Sequence, residues 1–93
     1  SPSPTVKHHL KHHTDCVNSI AFHPSLPLLA TGSYDKSTIL YDISNIFTSP
    51  PTVKNHLKHH TDHVYSVAFH PSLPLLATCS DDISTILYNL DKM

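Results

Sequence analysis

One stretch of sequence occurs twice and decides the fold. Residues 12–43 are HHTDCVNSIAFHPSLPLLATGSYDKSTILYDI, and residues 59–90 are HHTDHVYSVAFHPSLPLLATCSDDISTILYNL. Shifting the chain by 47 residues aligns residues 4–46 with residues 51–93, and 31 of these 43 positions are identical. The 93 residues therefore form a tandem repeat with units at 1–46 and 47–93, and no length remains for a separate catalytic domain.

Each unit is expected to form short β-strands separated by turns. Residues 17–22 combine β-branched and aromatic side chains, and two prolines within residues 24–27 remove backbone donors, which favours a turn. An apolar strand, a second turn, a third strand and a more polar segment suited to a sheet edge follow. The predicted strands are 17–22, 28–31, 38–43 and 52–58. Four histidines also share one helical stripe, which leaves a helix as an alternative for the last segment: His56, His59, His60 and His63.

Four short strands in 40–50 residues are typical of a β-propeller blade, and the order of residues resembles the Trp-Asp (WD) repeat family. The matching positions of the first unit are His12-His13, Asp15, Val17, Ala21-Phe22-His23-Pro24, Leu29-Ala30-Thr31-Gly32-Ser33, Asp35 and Ile39-Leu40-Tyr41-Asp42. The second unit keeps this order. Both units depart from the family where Tyr41 and Tyr88 stand in place of Trp, and where His12 and His59 stand in place of Gly. The second unit also has Asn89 in place of the final Asp. The resemblance implies an all-β fold with two blades of four antiparallel strands in each chain.

Two blades cannot close a propeller, which needs roughly 4–8 of them. The resemblance therefore implies that homo-oligomerisation completes the propeller. In this scheme residues 1–46 begin with an outer strand at 5–11, and residues 47–93 supply the outer strand of the first blade and three strands of the second. The strand at 5–11 of one copy would complete the last blade of the next, in a head-to-tail contact that closes into a ring. We favour four copies with eight blades, followed by three copies with six. A natural fragment and a designed repeat are both compatible with the sequence.

The resemblance also implies a hydrogen-bond network that holds each blade together. Family members often combine His, Ser or Thr, Asp and Trp in such a network. Carried over position by position, it comprises His13, Thr31, Asp35 and Tyr41 in the first unit and His60, Thr78, Asp82 and Tyr88 in the second. Elementary chemistry agrees, because a tight turn without glycine favours an Asp that accepts from backbone amides, and a buried carboxylate needs a donor.

The two units differ at positions that the resemblance places on one rim of a propeller. These positions are Cys16, Asn18, Tyr34, His63, Tyr65 and Asp81. We interpret them as a rim for protein or peptide binding in which Tyr34 and Tyr65 are anchors, because aromatic residues dominate binding energies. Drift at exposed sites is the alternative interpretation.

Ten histidines are an unusually large number for this length. Eight of them cluster in and after the outer strands: His8, His9, His12, His13, His56, His59, His60 and His63. Because imidazole binds zinc, nickel and copper, a small-ligand or metal-binding ring is an alternative function. Their spacing matches no closed metal site, so we predict no metal and no cofactor.

Composition and motifs argue against several other functions. Six basic and seven acidic residues give a net charge of −1, which argues against nucleic-acid binding. No apolar run approaches the roughly 18 residues that span a membrane. There is no Gly-rich loop, activated Ser or credible Cys–His pair, so we predict no enzymatic activity. Two cysteines are too few for a secreted disulfide scaffold, and we expect a cytoplasmic protein.

Overall fold

The computed structural model describes residues 3–91, so the outer ends of the predicted units 1–46 and 47–93 lie outside the described residues. Within that range the chain is all-β, as predicted, and it forms seven strands. They are β1 (Val17–Phe22), β2 (Leu28–Ser33), β3 (Thr38–Asp42), β4 (Thr52–Leu57), β5 (Val64–Phe69), β6 (Leu75–Ser80) and β7 (Thr85–Asn89). Strands β1–β4 make one antiparallel sheet, here called blade 1, and β5–β7 make a second, called blade 2.

The strand boundaries follow the predictions closely. The helical alternative around His56 is wrong, because His56 lies in β4 and pairs with Ile39 of β3. Strand β2 continues two residues beyond the predicted end, to Ser33, and β3 ends one residue earlier, at Asp42. Residues 3–91 contain no helix with the length and hydropathy needed to cross a membrane.

The predicted strand at 5–11 is not a strand in this structure. The segment instead lies near the linker after β3, where the Nε2–H of His8 donates to the carbonyl oxygen of Ile46 at 2.7 Å. The Lys7 ammonium also lies 5.9 Å from the centre of the Phe47 ring. The physical reason is the lack of a neighbour, since a β-strand needs a ladder partner and β3 is already paired with β4.

Side chains replace glycine in organising the turns. The ring nitrogen Nδ1 of His23 accepts from the backbone N–H groups of Ser25 and Leu26 at 3.1 and 2.9 Å, and His70 does the same in blade 2. The β2–β3 and β6–β7 turns place Lys36 and Ile83 in the left-handed region, with φ of 74° and 70°. Glycine fits that region best, so both turns are strained.

The core lies between the two blades. It is built from Ala30, Leu40, Val64, Val67, Leu76 and Leu90. Val64 and Val67 of β5 pack against Gly32 of β2, and a Cβ atom at Gly32 would lie 2.8 Å from Val64 Cγ1. The side chain of Asn18 donates to the carbonyl of Val64 at 3.3 Å across the same contact. We call this contact the internal seam.

Candidate functional site

The network residues meet in each blade. His13 Nδ1 lies 2.8 Å from Asp35 Oδ2, and His13 Nε2 lies 2.7 Å from the Thr31 hydroxyl. Because a carboxylate only accepts, Nδ1–H is the donor to Asp35, and the Thr31 hydroxyl is the hydrogen-bond partner of the ring at Nε2. The His13 and Asp35 side chains are 4% and 9% exposed. Blade 2 repeats the arrangement, with 2.8 Å for both His60–Asp82 and His60–Thr78.

The aspartate of this network also fixes the turn. Asp35 Oδ2 accepts from the Thr14 backbone N–H at 3.0 Å, and Oδ1 accepts from the Ser37 N–H at 2.9 Å and from the Ser37 hydroxyl. Burial by itself would raise the pKa of Asp35, but the hydrogen bonds from Ser37, Thr14 and His13 outweigh it and lower the pKa to about 2. Hydrogen bonds, first of all from Ser84, also hold the pKa of Asp82 well below its usual range.

The two tyrosines bond to different histidines from those of the network. Tyr41 is 1% exposed, and its hydroxyl lies 3.1 Å from Nδ1 of His12, the residue before the network histidine. Tyr88 lies 2.9 Å from His59 in the same way. Burial raises the pKa of both tyrosines. These Tyr–His hydrogen bonds were not predicted from the sequence. The sequence feature that could have indicated them is that each unit has both a His in place of the family's Gly (His12, His59) and a Tyr in place of its Trp.

Four of the six predicted rim residues come together across the two blades. The ring of Tyr34, from the β2–β3 turn, stacks on His63 with centroids 4.4 Å apart and planes 23° apart. Tyr65 meets Tyr34 edge-on at 6.5 Å and donates its hydroxyl proton to Asp81 Oδ2 at 2.7 Å. We call Tyr34, His63, Tyr65 and Asp81 the rim cluster.

The other two predicted rim residues lie apart from the aromatic contacts. Asn18 contacts the internal seam through its amide, so its side chain serves the packing of the two blades. The backbone carbonyl of Cys16 accepts from the N–H of Tyr34 at 2.9 Å and supports the turn that carries Tyr34.

Carboxylates give the rim cluster a negative character. Asp62 and Asp81 flank His63, with Nδ1···O distances of 3.8 and 3.7 Å. Among residues 3–91, Asp62, His63 and Asp81 are the one group of three whose donor atoms could share a metal ion. The hydrogen bond to Asp81 is the main cause of a raised pKa at Tyr65, which keeps that hydroxyl protonated.

The clustered histidines are mostly engaged with the protein itself. The rings of five of the eight make hydrogen bonds to other residues, namely His8, His12, His13, His59 and His60. His56 meets His13 edge-on, with ring centroids 6.5 Å apart. Burial is the first cause of a lowered pKa at His56. No three of these eight histidines form a candidate metal group within residues 3–91.

A family model decides the identity. The model of the WD domain, G-beta repeat, matches residues 4–42 and 51–89. The chain belongs to the WD-repeat family. This confirms the resemblance inferred from the sequence and identifies the two sheets as propeller blades. WD-repeat propellers are typically protein-interaction scaffolds.

Individual relatives of this WD-repeat chain match only short parts of their own length. It is 54% identical over 37 residues to the probable cytosolic iron-sulfur protein assembly protein 1 of Candida albicans, which covers 40% of this chain and 10% of that protein. It is 39% identical over 44 residues to the Lissencephaly-1 homolog of Dictyostelium discoideum, covering 47% of this chain and 10% of that protein. The crystal structure of Saccharomyces cerevisiae Sqt1 superposes with a TM-score of 0.75 at 29% identity, over 84% of this chain and 20% of that one. The chain thus matches about a tenth of the length of these curated relatives.

Proposed function

We propose that this chain is a non-catalytic propeller unit that assembles head to tail with further copies into a closed ring. The ring presents the rim cluster for protein or peptide binding. Four copies would give eight blades and three copies would give six, and we favour four. The two unpaired cysteines support a cytoplasmic location, because disulfides dominate in oxidising compartments.

The observation that carries the proposal is a difference in exposure between equivalent side chains. Val64 of blade 2 is fully buried against blade 1, whereas its counterpart Val17 is 50% exposed. Leu40 of blade 1 is 1% exposed under blade 2, whereas Leu87 is 65% exposed. The outer face of blade 1, with Val17, therefore matches one side of the internal seam, and the outer face of blade 2, with Leu87, matches the other side. Exposed apolar faces of this kind are typical of interaction surfaces. Joining the open face of one copy to that of another is a heterologous contact, which forms a ring where the rotation closes.

Strand exchange supports the same assembly. In blade 1, β3 pairs with β4 so that Thr38 lies opposite Leu57. In blade 2, β7 has a partner strand only on its β6 side within residues 3–91. The repeat shift of 47 residues places Leu10 of another copy opposite Thr85. Residues 5–11 are unpaired in this structure and repeat the sequence of β4 with one substitution, so they are suited to that edge.

A proline in the exchanged segment tests the assembly. Val6 is 84% exposed and lies outside every strand, so Val6→Pro leaves the fold of the single chain intact but removes a donor from the exchanged strand. Native mass spectrometry of the full chain should show four copies, with three as the runner-up, and Val6→Pro should give monomers of 10.3 kDa. Val6→Thr is the control and should assemble normally. A folded wild-type monomer at all concentrations, or an odd number of blades, would refute the ring.

The rim cluster supports a cationic peptide as the partner. Tyr34 and Tyr65 offer aromatic surface, and Asp62 and Asp81 offer negative charge beside it. A lysine or arginine side chain satisfies both features through a cation–π contact and an ion pair.

Exchanging residues between the two units tests the rim. Tyr65→Asn and Asp81→Tyr each install the residue that the first unit has at the same position, so the local backbone accepts them. Fluorescence anisotropy with two labelled peptides of equal length, one lysine- and arginine-rich and one glutamate-rich, should show binding of the cationic peptide alone. Each variant should weaken it at least tenfold. Equal binding of both peptides, or unchanged affinity in both variants, would refute the proposal that the rim cluster binds cationic peptides.

A further inference from the structure

The contact between two copies in the proposed ring, here called the joint, would not be a replica of the internal seam. Repeat equivalence places three residue pairs at matching points of the two contacts, and all three differ. The internal seam has Gly32, Val67 and Asn18, whereas the joint would have Cys79, Ile20 of the next copy and Tyr65.

The first difference is steric and the largest. A Cβ atom at Gly32 would lie 2.8 Å from Val64 Cγ1, a closeness that real Cβ atoms essentially never show. It would also lie 3.0 Å from Val67 Cγ1, which is tighter than most real Cβ contacts. At the joint, Cys79 carries that Cβ and a sulfur atom in addition. The groups facing it would be Val17 and Ile20 of the next copy, which are no smaller than Val64 and Val67. Packed interiors have little spare volume, so the joint must open.

The other two differences act in the same direction. Ile20 has one more methylene than Val67 and is 60% exposed in this structure, whereas Val67 is 5% exposed. Asn18 donates its amide across the internal seam to the carbonyl of Val64. Its counterpart Tyr65 has no amide, and its hydroxyl is already bonded to Asp81. The joint therefore gains volume at two positions and loses a hydrogen bond at a third.

We propose that Cys79, with Ile20 of the facing copy, sets the spacing between copies and makes every joint wider and weaker than the seam within a chain. Tight and wide contacts alternate around the ring, so the ring opens between copies and the two blades of one chain stay together. Cys79 thus determines that the contacts between copies separate before the internal seam does. This inference rests on the proposed ring.

Placing the residues of the internal seam at the equivalent positions of the joint tests whether Cys79 and Ile20 weaken the contact between copies. Cys79→Gly and Ile20→Val convert two joint positions into their internal counterparts, and Ile20→Val leaves the fold intact because Ile20 is largely exposed in the single chain. Mass photometry of diluted assemblies should show that each variant dissociates at a lower concentration than the wild type, by at least tenfold for Cys79→Gly. Cys79→Ser keeps the size and loses the thiol, so it should behave like the wild type.

The outcomes separate this inference from the ring itself. Rings that dissociate at the same concentration in the wild type and in both restoring variants would overturn the spacing role and leave the ring standing. Monomers in the wild type and in both variants would overturn the ring. Monomers in the wild type with rings only in Cys79→Gly would likewise overturn the ring proposed for the natural chain.

Discussion

Removing Asp35 tests the network that holds each blade together. The Asp35→Ala substitution deletes four hydrogen bonds, from His13, from the Thr14 backbone and from the backbone and hydroxyl of Ser37. It removes the charged acceptor of the His13 N–H and leaves only the Ser37 hydroxyl, 3.3 Å away, beside a side chain that is 4% exposed. Removing a charged acceptor from a buried donor costs about 1–3 kcal/mol, so we expect a loss of about 2 kcal/mol in the free energy of unfolding.

The lowered pKa of Asp35 reflects the same hydrogen bonds and implies a stabilisation of similar size. A pKa of about 2, against an ordinary value of 3.8, corresponds to about 2 kcal/mol in favour of the folded carboxylate. For a domain of this size, 1 kcal/mol lowers the Tm by about 4–8 °C. Asp35→Ala should therefore lower the Tm by roughly 10 °C.

The assay is thermal and urea unfolding followed by circular dichroism, carried out on the Val6→Pro chain so that assembly does not contribute to stability. Lys36→Ala is the matched control one residue along. Lys36 is exposed and already has a positive φ, so this change should cost under about 0.5 kcal/mol. Equal shifts of Tm for the two variants would show that the network does not stabilise the blade.

Three further predictions concern acid, turn strain and the internal seam. Because the folded pKa of Asp35 is lowered, its stabilisation is complete above about pH 4 and is lost as the pH falls towards about 2. Urea unfolding should show this loss in the wild type and a smaller one in Asp35→Ala, and parallel pH profiles would contradict it. Ile83→Gly should raise the free energy of unfolding by about 0.5–1 kcal/mol, because Ile83 is 97% exposed at a φ of 70° and loses strain without losing packing. Ile83→Val is the control and should bring no gain, and a Tm that falls in Ile83→Gly would argue against strain. Gly32→Ala should destabilise the chain by about 1–3 kcal/mol because its Cβ would collide with Val64. Cys79→Ala, at the equivalent open face, should cost less in the same urea titration, and equal costs would show that the seam adapts.

The sequence alone determined the local structure of each unit. The family resemblance, the strands and the turns were predictable because runs of β-branched and apolar residues, paired prolines and the turn aspartate act over a few positions. The partnership of His13 with Asp35 came from the family pattern, and the structure brings both to the same turn. The turn hydrogen bonds that the His23 ring accepts from the backbone were not predicted, since nothing in the spacing of His23 distinguishes it from the other nine histidines.

Only the tertiary structure decided what each identical residue does. Val17 and Val64 have the same identity and the same place in the repeat, but one is half exposed and the other fully buried. The stack of Tyr34 on His63 likewise joins two blades, and residues 5–11 lack the strand partner that β4 has. Burial, stacking and strand pairing depend on the neighbouring element, and a repeated sequence encodes the same unit twice but supplies different neighbours to each copy.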